Sequence, residues 1–459
     1  MSSTSSVQQT IEMFKRGDLS PVEVVRDSLD RIDEINPVIN AIYEVDREGA
    51  LLAAAASERR WRAGAPIGPL DGIPITVKDA LATKGMVTYR GSAADPGHVA
   101  EADHPTVSRV REAGSIVVGK STMCDYGILA SGVSSRFGVT RNPRNPKWNT
   151  GASSSGAAAS VAAGIEPVTI GTDIVGSIRI PASYCGLVGL KPSQGRVPYY
   201  FPNHPALVAG PIARNVVDAA HLLNVLARPD RSDFSALPPA HVDFTKELEE
   251  FDPATLRILV INDLGLGAKT SPAVKSALVK AEGFFRAAGA SVERTAAPPF
   301  DAQDMADIEL HYMVRCVAEL LKVPEEQQKL SPFIYSWTKP GREYSAVQYQ
   351  ESWNAIQRLR DRAYKLAGEA DFIILPSTAD TAFAAERFAP EGQSPFSLWS
   401  TTCLFNFTEQ PAISLPLGAD TEGKPIGVQI VGKRFDDLGI LKAAYFLEKK
   451  SFAPSPHIE

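Results

Sequence analysis

The sequence predicts an α/β fold, and three observations carry that prediction. Short apolar runs recur along the 459 residues at 75–77, 116–118, 166–170, 256–261, 372–376 and 426–431. Their lengths and β-branched content are those of buried strands. Longer stretches between them place apolar residues at helical spacing, the alternation expected of strands packed under helices. No internal repeat and no low-complexity linker divides the chain.

In chain order, residues 1–6 are expected to be frayed. Val7, Ile11 and Phe14 then recur at helical spacing until Arg16-Gly17-Asp18 stops the helix. Ser20, Pro21 and Glu23 form a helix start, with serine as the cap, proline in the first turn and glutamate three residues on. Val22, Val25, Leu29 and Ile32 form the buried stripe that follows. A further helix is expected over 47–62. In Ile75-Thr76-Val77-Lys78 the strand period sets Lys78 opposite Ile75 and Val77. A lysine at that position either reaches solvent or is buried with a lowered pKa.

Residues 114–121 match a phosphate-loop pattern letter for letter. The residues that would have to loop around a phosphate, Ile116-Val117-Val118, themselves read as a strand. Nucleotide binding through Lys120 is therefore the weaker alternative. Ser153, Ser154 and Ser155 stand just before an alanine-rich helix, where backbone N–H groups are unpaired and the helix dipole is positive. A strand over 166–170 ending at Gly171 follows, and then a loop, Thr172 to Ser177, at a strand end where α/β scaffolds carry reacting groups. Downstream, 212–228 reads as an amphipathic helix and 229–254 as a surface excursion. Residues 256–261 read as a strand and 272–288 as a helix. The section 300–400 alternates helical and irregular stretches. Its Trp337, Tyr344, Trp353 and Trp399 read as packing residues, because no basic stripe interleaves them. Strands at 372–376 and 426–431 and a helix over 437–449 complete the chain.

Composition narrows the function. Hydrophobic residues make up 44% and charged residues 22%, as in soluble globular proteins. A formal charge of −6 argues against nucleic acid or an anionic membrane held mainly by charge. No run reaches the ~18 apolar residues of a membrane span, and the first residues lack a secretory pattern, so a cytoplasmic location is expected. Cys124, Cys185, Cys316 and Cys403 lie far apart without a CxxC, which gives neither a zinc motif nor a disulfide framework. The seven histidines fall in no motif, and His98 to His104 reads as a loop. No G-x-S-x-G elbow occurs. If Ser177 is a nucleophile, its base is therefore not an adjoining histidine. A lysine kept neutral by burial can serve, with serines relaying its proton; this logic joins Lys78 to Ser153–Ser155 and Ser177. Backbone N–H groups of the turn could hold a developing oxyanion.

Gly151 to Gly156, Gly171 to Pro181 and Cys185 to Pro192 closely resemble the amidase signature family, as do Gly72 to Asp79, Phe405 to Thr408 and Pro411 to Ser414. The resemblance spans nearly the whole chain. It implies a central mixed, twisted β-sheet covered by α-helices on both faces. It implies one amidase domain over 1–459: N-terminal helices to 65, a catalytic core segment over 66–230, a more variable substrate-side region over 231–400 and a return to the core over 401–459. By motif, the catalytic residues would be Lys78, Ser153 in a cis peptide linkage, and nucleophilic Ser177. Ile174, Val175, Gly176 and Ser177 would form the oxyanion hole, with Ser154, Asp173 and Arg179 in support. Tyr126, Gly127 and Ile128 are candidate substrate contacts.

Ala152 and Val175 stand where the family usually has glycine. Val175 is expected to keep a negative φ and to shape the oxyanion-hole wall. The implied reaction is hydrolysis of an amide or carbamate through an acyl-enzyme, with no metal or cofactor, by a monomer or homodimer acting on a small molecule. The alternative inside the family is the glutaminase component of a tRNA-dependent amidotransferase, although Thr122 to Gly132 departs from the pattern of that component. Outside the family, a catalytically silent binding module is the alternative. The aromatic content of 300–400 favours an apolar or aromatic substrate group.

Overall fold

Residues 5–200, 204–239, 242–295 and 298–451 are described in a computed structural model of the chain. Strands β1 (Ile42–Val45) and β2 (Pro74–Lys78) come first, then a short pair, β3 (Val87–Thr88) and β4 (His98–Val99). β5 (Ile116–Ser121) precedes a second short pair, β6 (Val133–Ser134) and β7 (Gly138–Val139). β8 (Val168–Asp173), β9 (Val188–Lys191), β10 (Val208–Ala213), β11 (Arg257–Val260) and β12 (Ser291–Arg294) follow. β13 (Phe372–Pro376), β14 (Ala412–Ala419) and β15 (Pro425–Val431) are the last.

Apart from the two short pairs, these form one eleven-stranded sheet in the order β1-β5-β2-β8-β10-β9-β14-β15-β13-β11-β12. Its contacts are parallel at β5-β2-β8 and at β13-β11-β12 and antiparallel elsewhere, so the sheet is mixed. Every residue of β2, β5, β8, β10, β13 and β15 is buried. A strand buried at both alternating sets of positions has both faces covered, and helices supply the cover. The fold is the α/β sheet flanked by helices that the sequence predicts.

The helices follow their capping signals. Ser6 already carries a reciprocal cap with Gln9 at the start of Val7–Arg16, so order begins before residue 7, and residues 1–4 lie outside the described residues. Gly17 ends that helix at φ 73°, a left-handed position that glycine adopts without a Cβ penalty. Ser20 and Glu23 cap Pro21–Ile39 as read, while Val24 takes the deeply buried place assigned to Val22. Arg47–Arg62, Pro272–Ala287 and Asp437–Ser451 are helices within a residue or two of expectation.

Three readings change. The strand placed at 166–170 runs from Val168 through Asp173. Gly171 does not end it: Ile178, Ile212 and the Ser154 hydroxyl come within 2.9–3.0 Å of where a Cβ would stand, so glycine here makes room. Glu166 lies outside the strand. Its buried carboxyl, pushed up to about 7 by burial, accepts hydrogen bonds from Thr76 and Ser160. The helix read over 212–228 splits into β10 and Val216–Leu226, because Asn215 caps the Asp218 amide and restarts the chain. Finally β1, β9, β12 and β14 belong to the sheet although no apolar run announces them; Lys191, Ser414 and the glycines and prolines among them hide the signal.

Two buried lysines besides Lys78 sit in this sheet. Lys191 donates to the Pro192 carbonyl at 3.0 Å and burial lowers it to about 7. Lys120, lowered by burial to about 8, donates from within β5 to the Leu81 carbonyl at 2.8 Å and to Thr88 Oγ1 at 2.9 Å. All of 116–121 is strand; no phosphate loop exists there, and the nucleotide-binding alternative is not supported. Among the described residues no helix is long and apolar enough to cross a membrane.

Candidate active site

β2 and β8 are parallel neighbours with Val77 opposite Ile170, so their carboxyl-terminal ends lie abreast. That register sets Lys78, the last residue of β2, beside Thr172. The turn before the helix Ser155–Ala162 approaches from the sequence between them, and its Ala152–Ser153 peptide is cis. Lys78 has no exposed surface. Its Nζ lies 2.8 Å from each of Ser153 Oγ, Ser154 Oγ and Thr172 Oγ1, with a longer contact of 3.4 Å to the Thr172 carbonyl. Burial lowers the amine to about 7, against the opposing pull of the nearby Asp173 and Asp79 carboxylates.

Hydrogen-bond accounting makes the site directional. A neutral amine offers two N–H groups and one lone pair, and three hydroxyls surround it, so one hydroxyl donates back to nitrogen. Ser154 spends its own proton on the Thr172 carbonyl at 3.2 Å and therefore accepts from Lys78. The lone pair is left for Ser153 or Thr172. The Ser155 hydroxyl faces away, toward the Thr122 carbonyl at 3.5 Å. Thr172 is the site residue that sequence reasoning passed over. It lies inside the resembling segment, and alternation with Asp173 was the available signal.

Ser177 sits in the turn after β8, its carbonyl accepting from the Ser154 amide at 3.2 Å. Ser153, Thr172 and Ser177 line one cavity of about 280 Å³. Among the described residues no hydrogen bond joins the Ser153 and Ser177 hydroxyls; the two share the cavity wall.

A buried ion pair shapes this turn. Arg179 meets Asp173 through Nε (3.1 Å) and Nη2 (3.0 Å), and both side chains are inaccessible. Asp173 also accepts from the amides of Gly176 (2.7 Å) and Ile178 (3.1 Å) and from Asn406 Nδ2 (2.8 Å). Burial alone would raise this carboxyl; Arg179 and these hydrogen bonds overcome it and hold it at about 2. The guanidinium's other donors reach the Thr402 carbonyl, Gln429 Oε1 and Asn406 Oδ1.

Of the four amides expected to face an oxyanion, Gly176 is thus committed to Asp173. Those of Ile174, Val175 and Ser177 have no partner among the described residues. Val175 is not among the residues with positive φ, in line with the sequence reading; the left-handed conformation falls on Gly176, at φ 126°. A Cβ there would collide with Thr402, whose hydroxyl holds the Val175 carbonyl. The Val175 side chain packs into the core and does not line the cavity; the wall at this point is Ile174, whose carbonyl accepts from Tyr312 at 3.1 Å.

Tyr126 and Gly127 line the cavity, whereas Ile128 turns into the core. The aromatic wall comes from Tyr126, Tyr199 and Tyr200 rather than from 300–400, which contributes Arg315 and Lys322. Trp399 is buried against Tyr312 and Phe396, and Trp353 packs on His311, so the tryptophans of that section are packing residues.

Known proteins resemble this chain along nearly its whole length. The profile of the family described as Amidase matches residues 23–441. A glutamyl-tRNA(Gln) amidotransferase subunit from Symbiobacterium thermophilum is 33% identical over 95% of each chain. An acylamidase from Rhodococcus erythropolis is 30% identical over 93% of this chain and 91% of its own. Among solved structures, a bacterial aryl acylamidase of the amidase signature enzymes superposes with a TM-score of 0.88 at 29% identity, covering 97% and 96% of the two chains. A 6-aminohexanoate cyclic dimer hydrolase gives 0.85 at 26% identity, covering 98% of both.

Proposed function

The chain belongs to the amidase family, and from that premise we propose that it hydrolyses the C–N bond of an amide, or of a carbamate, through an acyl-enzyme on Ser177. The observation that carries this reading is the fully buried Lys78 amine, ringed by three hydroxyls with no carboxylate bonded to it and lowered to about 7. Such an amine is a base at neutral pH.

In the proposed sequence Ser153 gives its proton to Lys78 and takes one from Ser177, whose hydroxyl turns toward it within the shared cavity. Ser177 Oγ bonds to the carbonyl carbon, and the negative charge moves to the carbonyl oxygen. The free amides of Ile174, Val175 and Ser177 face that oxygen. Collapse breaks the C–N bond, and the proton stored on Lys78 returns through Ser153 to the departing amine. Water, deprotonated by the same relay, then releases the acyl group. Ser154 orients Lys78, and the Asp173–Arg179 pair holds the turn.

The pH profile tests the base. Protonated Lys78 cannot accept a proton, so kcat/KM is expected to rise with pH, with unit slope below about 7 and a plateau above it. A profile that falls across that range would exclude an amine base. A fluorophosphonate probe is further expected to add one phosphonyl group per chain, on the tryptic peptide that contains Ser177.

A second reading has a specific observation behind it, the 33% identity to an amidotransferase subunit. It requires partner subunits and ammonia transfer. Hydrolysis of small amides by the purified chain alone separates the two. A cytoplasmic monomer or homodimer completes the proposal, checked by fractionation and light scattering.

A further inference from the structure

One charge in the cavity has no counterpart. Arg90, Arg315 and Lys322 are the charged side chains lining it, and no aspartate or glutamate lines it with them. Arg90 and Lys322 both contact Glu319, at 2.8 Å each. Arg315 makes no ion pair, hydrogen bond or ring-face contact among the described residues, and it is half-buried. Glu319, four residues on along the same helix, is engaged by Arg90 and Lys322. The other groups that feel the Arg315 charge include His204, His311, Cys316, Tyr199, Tyr312 and Tyr349. None of these six supplies an anion. Both histidines are kept neutral by burial and by Arg315 itself, and burial raises the thiol and the phenols, so none of these groups ionises near neutrality to meet it.

A guanidinium keeps its charge at any working pH. Its planar set of donors matches a carboxylate in a two-point contact, and half-burial among neutral rings strengthens that contact relative to water. Placement adds to this. Arg315 lies one helical turn from Tyr312 on the helix Ala302–Leu320, and residues three apart share a helix face. Tyr312 is the residue whose hydroxyl reaches the Ile174 carbonyl, next to the unpartnered amides of the turn. The charge therefore stands on the face of the helix that looks onto the reacting turn.

We propose that Arg315 binds a carboxylate carried by the substrate, so that the preferred substrates are acidic amides. This rests on the amide-hydrolase reading of the same cavity. The aromatic side chains that share the cavity wall, Tyr126, Tyr199 and Tyr200, fit an aryl or other apolar body between the carboxylate and the scissile bond.

Two matched pairs of anilides test the assignment. In the first the acyl part ends in a carboxylate or in the corresponding carboxamide; in the second the same exchange is made on the aniline ring. For one pair the carboxylate member is expected to have kcat/KM roughly ten- to a hundredfold above its neutral partner, mostly through KM, and the ratio is expected to shrink at high salt. The pair that shows the preference says on which side of the scissile bond the carboxylate sits. In Arg315→Met that ratio is expected to fall to near one, and in Arg315→Lys to an intermediate value. Because the ratio is taken within one variant, loss of folded protein cancels from it.

A wild-type enzyme that turns over both members of each pair equally would overturn the carboxylate assignment and leave the hydrolase reading standing, as would an Arg315→Met variant that keeps the full ratio. Failure of the wild type to turn over any of the four, together with no labelling by the fluorophosphonate, would instead overturn the hydrolase reading.

Discussion

Lys78→Arg is expected to be as inactive as Ser177→Ala, each losing on the order of 10³- to 10⁶-fold in kcat. The comparison isolates proton acceptance from charge. Arginine puts a fixed cation with more donors in place of the neutral amine, and with a pKa above ~12 it cannot take a proton at neutral pH. Lys78→Met removes the base without adding a charge, at similar length, and should fail to the same degree. The check is single-turnover and steady-state kinetics on one anilide, beside the affinity for an uncleavable ketone analogue. Binding retained within about tenfold while turnover is lost places the defect in chemistry. Should Lys78→Arg keep activity within tenfold of wild type, the amine is not the base. The deficits are expected not to add: Lys78→Met in a Ser177→Ala background should cost little more, because residues acting as one relay fail together.

Which parts of this site could be read in the chain follows from what each residue contacts. Lys78 was legible because an ionisable side chain ending an apolar strand has only two outcomes, and the hydroxyl cluster 75 residues away gave the buried outcome a purpose. The turn 172–177 was legible from its position after a strand. What escaped the sequence was long-range. Thr402 and Asn406 brace the turn from more than 200 residues away; nothing local marks Thr402, and the resembling segment that holds Asn406 gave it no role. The end of β8 was misplaced because Gly171 looks the same in sequence whether it turns the chain or makes room for Ser154. Gly176 was placed in the oxyanion hole by its neighbours, while its amide is claimed by Asp173 three residues earlier. The aromatic wall was assigned to the wrong segment since composition reports how many rings a stretch carries, not which way they face; Arg315 was missed for the same reason.

Arg179→Met is expected to be the most destabilising single change at the site, by about 3–5 kcal/mol. It would leave Asp173 fully buried with its principal counter-charge gone, while Thr402, Gln429 and Asn406 lose a shared partner. Urea denaturation checks this as a lowered midpoint with an unchanged slope. The double variant Asp173→Asn/Arg179→Met is expected to recover part of the loss, because a neutral amide there no longer needs the cation. If the double variant is instead weaker by the sum of the two singles, the pair is not the unit described here. The pH dependence carries its own sign. Asp173 is held near 2 in the fold, below the ~4 of an unfolded carboxylate, so its contribution is present above about 4 and is lost as pH falls through about 2.

The sheet also encloses Lys78, Lys120 and Lys191, lowered to about 7, 8 and 7. In an unfolded chain each titrates near ~10.4, so between about 8 and 10 these three side chains shed protons into the buffer as the chain folds. These three groups favour the native state as the medium turns alkaline over that interval, while the four buried thiols, raised to about 12 by burial, take up protons on folding and oppose them. The interior thus trades protons with the buffer in both directions as it folds, its lysines giving and its thiols taking.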